Sequence, residues 1–317
     1  MKIMITGSQG FIGSHLRERL KQEGHTVIGL DNLSHSCKYS TGKFIKDDIL
    51  NINKYENIIK KCDMIIHLAA LINVEESIEN PEKALNVNTF GTFKVLQLAT
   101  KYNIPMIHAG TTEVYGDKMT RTMNEKHSMN PKSPYAAAKM GADGLCKAFY
   151  HTYGTKVIIV RNFNTIGEYQ SDDKFGAVVA IFANQILNNK SPTVFGSGEA
   201  KRDFMDWKDA IDFYILLVKN HSKYYGQEFN VGMGKNIKIK DLAIKMIEIA
   251  EANEYIDCEL KPVFLKERPG EVKEFLCNNS KARSIGWKPN TNLDSILERY
   301  MDWKFINEIC KTLVRKK

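Results

Sequence analysis

A strand-like run, Lys2-Ile3-Met4-Ile5-Thr6, passes without interruption into Gly7-Ser8-Gln9-Gly10-Phe11-Ile12-Gly13, and few folds place three glycines at such a point. Glycines there allow a tight turn and a close approach of the backbone to a pyrophosphate. A helix opening at Phe11 then aims its first amides and the positive end of its dipole at the same spot. The next apolar run, Thr26 to Leu30, ends on Asp31, a carboxylate able to accept from both hydroxyls of a ribose and to repel a 2′-phosphate. Asn32 and Leu33 follow, and no arginine that would receive such a phosphate. Strand, glycine turn, helix, strand and terminal acid together indicate a dinucleotide site, with Gly7, Gly10 and Gly13 around the pyrophosphate and NAD favoured over NADP.

The alternation continues downstream. Met64 to Ala69, Pro105 to Ala109 and Lys156 to Arg161 are almost continuously apolar, as strands buried on both faces of a parallel sheet should be. Helical stretches lie between them: Phe11 to Glu23, Pro81 to Tyr102, and Pro134 to Tyr153 closed by Gly154. The expectation is an α/β fold, a Rossmann-type doubly wound parallel sheet, with a smaller α/β substrate-binding lobe. We place the cofactor domain at residues 1–165 and the lobe at 166–317, with elements at about 206–232 returning to the main sheet.

Bulk properties narrow the class. A chain of 317 residues, 43% hydrophobic and 26% charged, is ordinary for a folded soluble protein. Six cysteines are scattered without CxxC or Cys/His ligand spacing, so no metal site and no disulfide framework is expected. No apolar stretch approaches the ~18 residues of a membrane span, and the N-terminus leaves no room for a signal peptide; a cytoplasmic protein without membrane contact is expected. The net charge of +8 is dispersed, apart from Arg315-Lys316-Lys317. With no nucleic-acid-reading motif, no nucleic-acid partner is expected.

Tyr135 and Lys139 stand four apart on a helical stretch and so share a face. A nearby ammonium and a positive nicotinamide would each favour phenolate, suiting Tyr135 to take a proton from an alcohol as hydride leaves the same carbon. Thr111 ends the fifth strand, at the carboxyl edge where open α/β sheets hold their ligands.

Several segments carry a more specific likeness: the GxxGxxG turn, Asp48-Ile49, His67-Leu68-Ala69-Ala70, Asn88-Thr89-Phe90-Gly91-Thr92, Thr111-Thr112-Glu113-Val114-Tyr115-Gly116, Ser133-Pro134-Tyr135 through Lys139, Arg161-Asn162-Phe163-Asn164, Arg202-Asp203-Phe204 and Arg268-Pro269-Gly270-Glu271. Along nearly its whole length the chain resembles the extended short-chain dehydrogenases/reductases, the nucleotide-sugar epimerases and dehydratases. The resemblance implies a nucleotide-sugar substrate and a homodimer built on the two long helices. It implies that Phe11, Ile12, Asn32, Asp48, Ile49, Leu68, Ala69 and Ala70 join the glycines, Asp31, Tyr135 and Lys139 in holding NAD. It further implies that Thr111 bonds the sugar hydroxyl under oxidation. Asn88, Thr112, Asn164, Arg202, Arg268 and Glu271 are then expected at the substrate, the two arginines on phosphate or ribose.

Glu113 bears on reaction type. Many 4-epimerases that the chain resembles have a small or neutral residue there, whereas Thr-Ser/Thr-Glu resembles sugar 4,6-dehydratases and UDP-glucuronate decarboxylases. Oxidation at C4 acidifies the C5 proton, and a carboxylate can remove it so that the C6 hydroxyl departs. The first expectation is therefore a nucleotide-sugar 4,6-dehydratase; a 4-epimerase is the alternative and a decarboxylase the third reading. Thr112 departs from the pattern, since dTDP-glucose 4,6-dehydratases carry an aspartate there as acid for the leaving hydroxyl.

Overall fold

The computed structural model describes residues 1–37, 40, 42–171 and 176–315, without the side chains of 311–315; Lys316 and Lys317 lie outside it. In the first half, β1 (Lys2–Thr6), α1 (Phe11–Gln22), β2 (Thr26–Asp31), β3 (Ile45–Lys46), α2 (Glu56–Ile59), β4 (Met64–His67), α3 (Val74–Glu79), α4 (Pro81–Ala84), α5 (Gly91–Lys101), β5 (Met106–Thr111), α6 (Pro134–Tyr153) and β6 (Val157–Asn162) succeed one another. The second half holds β7 (Asn164–Ile166), α7 (Val178–Ile186), β8 (Thr193–Phe195), β9 (Lys201–Arg202), β10 (Phe204–Asp206), α8 (Trp207–Asn220), β11 (Glu228–Val231), β12 (Ile237–Lys238), α9 (Ile239–Ala252), β13 (Val263–Leu265), α10 (Ser280–Ser284) and α11 (Leu293–Arg315).

Seven parallel strands form the main sheet in the order β11-β6-β5-β4-β1-β2-β3. The doubly wound arrangement read from the sequence is thus present, and strand order reverses between β1 and β4. Alternation across the pleat sends Ile3, Ile5, Met64, Ile66 and Ile158 to one face, under α1 and α8. Met4, Ile65, Met106, Val157 and Ile159 go to the other, under α5 and α6. Both faces are covered, which is why these strands read as unbroken apolar runs. The sheet gains β11 from beyond residue 200, paired with β6. A third cluster, built from α7, α9 and α11 with Ile166, Val194 and Phe204, forms the core of the second lobe.

The Pro81–Tyr102 stretch is not one regular helix. Between α4 and α5 lies a π-helical segment, Leu85–Phe90, and within it the Asn88 amide accepts from the Leu71 amide at 2.8 Å and donates to the Leu71 carbonyl at 2.9 Å. Helix α6 is well punctuated. The Ser133 hydroxyl caps it by accepting from the Ala136 amide at 3.1 Å, Pro134 occupies its first turn, and Gly154 closes it in the left-handed conformation. Among the described residues no helix is long and apolar enough to cross a membrane.

Candidate active site

The carboxyl ends of β1, β2, β4, β5 and β6 open into one crevice at the point where strand order reverses, which is where ligands bind in such sheets. Gly7 lies there at φ +72°, and a Cβ on it would come within 2.7 Å of the Ala69 amide nitrogen. Leu68 and Ala69 are stitched to β1 through the Thr6 carbonyl and hydroxyl, and Ala70 follows them. A Cβ on Gly13 would lie 2.1 Å from the Gly7 carbonyl, so Gly13 is demanded by packing of helix on turn. Gly10 differs: a Cβ there would meet only the Gly7 carbonyl, at 3.5 Å, and otherwise enter open space. No side chain caps α1, so its first amides, from Phe11 and Ile12 onward, are free for an anion. This cradle, with space above Gly10, fits a pyrophosphate.

Asp31 is oriented by two backbone amides, Gln9 at 2.8 Å and Leu33 at 2.7 Å. Asp48 caps the short helix that begins at Ile49, accepting from Leu50, and its second oxygen accepts from the Asn32 amide at 2.8 Å. The residues expected around an adenosine therefore form one hydrogen-bonded edge.

Across the crevice, Thr111 ends β5 and Tyr135 begins α6; the Thr111 hydroxyl is hydrogen-bonded to the buried phenol. Lys139, one turn on, is buried and donates to the Ala109 carbonyl. The proton energetics differ from those expected of the pair. Burial pushes the Tyr135 phenol up to about 12 despite the Thr111 bond, and burial draws Lys139 down to about 8. Desolvation, helped by the Glu113 and Asp143 charges, outweighs the Thr111 bond, so the protein alone does not make Tyr135 acidic. Nothing in the sequence pointed to Ser77, whose hydroxyl accepts from the Tyr135 amide at 3.0 Å and seats the start of α6.

Glu113 follows Thr111 by two residues. Burial raises its carboxyl to about 7; Arg202 pulls it down and Glu271 pushes it up. Arg202 itself is ion-paired with Glu271, donates to the Val272 carbonyl at 2.8 Å, and lies over the Phe275 ring. Close by, Thr112 Oγ1, Asn162 Oδ1 and Asn164 Oδ1 are buried with no hydrogen-bond partner among the described residues. Three orphaned polar atoms at the ends of adjacent strands are groups that a polyhydroxylated ligand would satisfy. Asn88 stands apart, since both ends of its amide are engaged by Leu71.

Arg268 approaches from the second lobe. Its guanidinium stacks on the Phe195 ring at 3.7 Å, and its Nε lies 2.9 Å from Glu75 on α3, a contact too poorly aligned to be a hydrogen bond. Neither Glu75 nor Phe195 was singled out in the sequence. The signal for Phe195 was an aromatic just before the Gly196–Gly198 turn; Glu75 lies in no element read from the sequence, and no signal marked it.

The comparisons with known proteins agree with this architecture. The family model described as GDP-mannose 4,6 dehydratase matches residues 4–300. A Methanocaldococcus jannaschii protein provisionally named a UDP-glucose 4-epimerase is 33% identical over 95% of this chain and 97% of its own length. The dTDP-D-glucose 4,6-dehydratase of Dictyostelium discoideum is 29% identical over 95% of this chain and 81% of its own. Among solved structures, the UDP-glucuronic acid 4-epimerase of Bacillus cereus, in complex with UDP-glucuronic acid and NAD, superposes with a TM-score of 0.88 at 28% identity, covering 98% of this chain and 100% of that one.

Proposed function

The chain belongs to the nucleotide-sugar epimerase/dehydratase family of extended short-chain dehydrogenases/reductases, and from that premise we propose that it is a nucleotide-sugar 4,6-dehydratase. It is an NAD-using enzyme of the dehydratase/epimerase type. The glycine cradle, Asp31 and the Asn32–Asp48 edge would hold the cofactor. Bound NAD supplies the hydride acceptor for C4, the hydride returned later, and a positive ring that favours phenolate beside it. Tyr135 takes the C4 hydroxyl proton with Thr111 bonded to the same oxygen, and Lys139 keeps a positive charge beneath them.

The observation that carries the elimination is Glu113: a carboxyl near the Thr111–Tyr135 pair, held by burial at about 7, where it can both take and return a proton at neutral pH. With C4 oxidised, Glu113 removes the C5 proton and delivers it, through Thr112 or a water, to the hydroxyl leaving C6, which departs as water. Thr112 and Asn164, with their orphaned atoms, orient the sugar; Arg202 and Arg268 hold phosphate or ribose of the nucleotide, and Glu271 accepts from a ribose hydroxyl.

Mass spectrometry of products from UDP-, GDP- and dTDP-hexoses tests this. A product lighter by one water is expected, and Glu113→Gln should lower its formation by roughly 10²–10⁴-fold. Unchanged mass with C4 inverted would instead establish a 4-epimerase, the reading favoured by Thr112, which offers a neutral hydroxyl and no second carboxylate. Release of carbon dioxide from a nucleotide-uronate would establish a decarboxylase. Tyr135→Phe should silence every one of these reactions.

The same reading includes a homodimer. Leu85, Phe90 and Tyr153 are 55%, 47% and 62% exposed on the outer side of the α4–α6 region, beside Phe93 and Phe149. Six cysteines scattered along the chain without CxxC or Cys/His ligand spacing support a reducing, cytoplasmic setting.

A further inference from the structure

Beneath the crevice lies a charged pair that the chemistry above does not use. Asp143 follows Lys139 by one turn of α6 and is wholly buried; its Oδ2 accepts from Arg161 Nε at 2.8 Å. Arg161, on β6 and equally buried, donates onward to the Tyr115 hydroxyl at 2.8 Å, and that hydroxyl donates to Asn230 at 2.7 Å. Asp143 Oδ1 has no hydrogen-bond partner among the described residues and lies 3.5 Å from His108 Nε2. The space between β5 and this pair exists because residue 110 is glycine: a Cβ there would press to 3.1 Å on both Asp143 Oδ1 and Arg161 Cγ.

A buried ion pair is expensive to form and weak evidence for stability, so its position is informative. We infer that Asp143 is a positioning residue for Lys139: its carboxylate, one turn along α6 and kept ionised by Arg161, is the countercharge that holds the lysine protonated beneath Tyr135. The inference rests on the reading of Tyr135 and Lys139 as the catalytic pair. The groups facing Lys139 are few. Tyr135, Asp143 and Cys146 share its helix, His108 projects from β5 and His67 from β4. Burial drives both imidazoles low, His108 to about 4, so neither brings a positive charge at neutral pH. Burial also drives the Cys146 thiol well upward, leaving it neutral. Asp143 is then the negative charge opposing desolvation of Lys139, while Arg161, which donates to its Oδ2, offsets the burial that would otherwise protonate Asp143.

Loss of the carboxylate should let Lys139 release its proton at lower pH. The experiment is the pH profile of kcat/KM for the parent, Asp143→Asn, and Asp143→Asn/Arg161→Gln; the double variant removes the Arg161 charge together with its carboxylate partner, so that the guanidinium is not left unpaired. In both variants the alkaline limb should move down by about one unit, a roughly tenfold loss at pH 9, with a much smaller change near pH 6.5. If the single variant does not fold, the double variant decides. An alkaline limb unmoved in the folded variants overturns the inference, whatever happens to the absolute rate. Lys139→Met, measured alongside, separates the premise: if it retains parental turnover the catalytic pair is misassigned, whereas an inactive Lys139→Met with unmoved limbs refutes the role of Asp143 alone.

Discussion

Glu113, the base of the proposed elimination, is a side chain whose ionisation also acts on stability. Its carboxyl is raised from 4.5 to about 7 by burial, so between those values the folded protein retains a proton that the unfolded chain has released. The stability this contributes is present below about pH 4.5 and is lost as pH rises through 7, costing roughly 1–3 kcal/mol in all. Glu113→Gln should flatten that part of the stability curve, measured by denaturant midpoint from pH 4.5 to 8; an unchanged slope would mean that Glu113 ionises normally. The same titration should appear in turnover as an acid limb near pH 7. Legibility divides cleanly among such residues. Tyr135, Lys139, Thr111 and Glu113 were open to proposal from the sequence because one helix turn and one strand end fix their neighbours locally. Ser77, Glu75 and Phe195 were not, since each acquires meaning only from a partner 58 to 193 positions away, which periodicity does not encode.

Among elements, the glycine turn separates folding from binding within seven residues. At Gly13 an alanine Cβ would collide with the Gly7 carbonyl at 2.1 Å, whereas at Gly10 it would intrude only on open space. Gly13→Ala should therefore cost about 1–3 kcal/mol of stability and weaken NAD binding with it. Gly10→Ala should leave the Tm within a degree or two and still weaken NAD binding tenfold or more; thermal melts with and without NAD distinguish the two. Helix α3 offers a second case. Glu75 reaches Arg268 of the opposite lobe, Glu76 pairs with His35 of the segment after β2 and with Lys83, and Ser77 holds the Tyr135 amide. A partly exposed pair such as Glu75–Arg268 is worth about 0.2–1 kcal/mol, and a substrate phosphate would have to replace it. Glu75→Gln should accordingly tighten nucleoside diphosphate binding by roughly two- to fivefold in calorimetry, with Arg268→Gln weakening it. The long strands and α6 were legible from apolar runs and caps. The π-helical segment was not, because a widened turn leaves the 3.6-residue pattern nearly intact, and the two- and three-residue strands β3, β8 and β9 are too short to display a period.

At the scale of the whole molecule, the sheet buries apolar residues on both faces, yet one outer surface remains unusually aromatic. Phe90 stacks on Phe93 at 5.7 Å, Phe93 meets Phe149 edge-on, and Phe149 meets Tyr153 at 5.0 Å, a continuous row across α5 and α6 that ends in side chains about half exposed. An apolar patch of that kind marks an association surface, and pairing it with a second copy would bury it by symmetry. The helix bearing this row also carries Tyr135 and Lys139, so association would stiffen the catalytic helix from its outer side. Light scattering should give twice the chain mass of 36.1 kDa for the parent. Phe90→Glu/Tyr153→Glu, which places four carboxylates in a symmetric interface, should give a single chain mass. Because a dimer gains stability with concentration, the parent Tm should climb as protein is raised from low to high micromolar while that of the double variant stays flat. A parent that scatters as a monomer with a concentration-independent Tm would leave the aromatic row unpaired and remove the dimer from the account, without touching the chemistry proposed for the crevice.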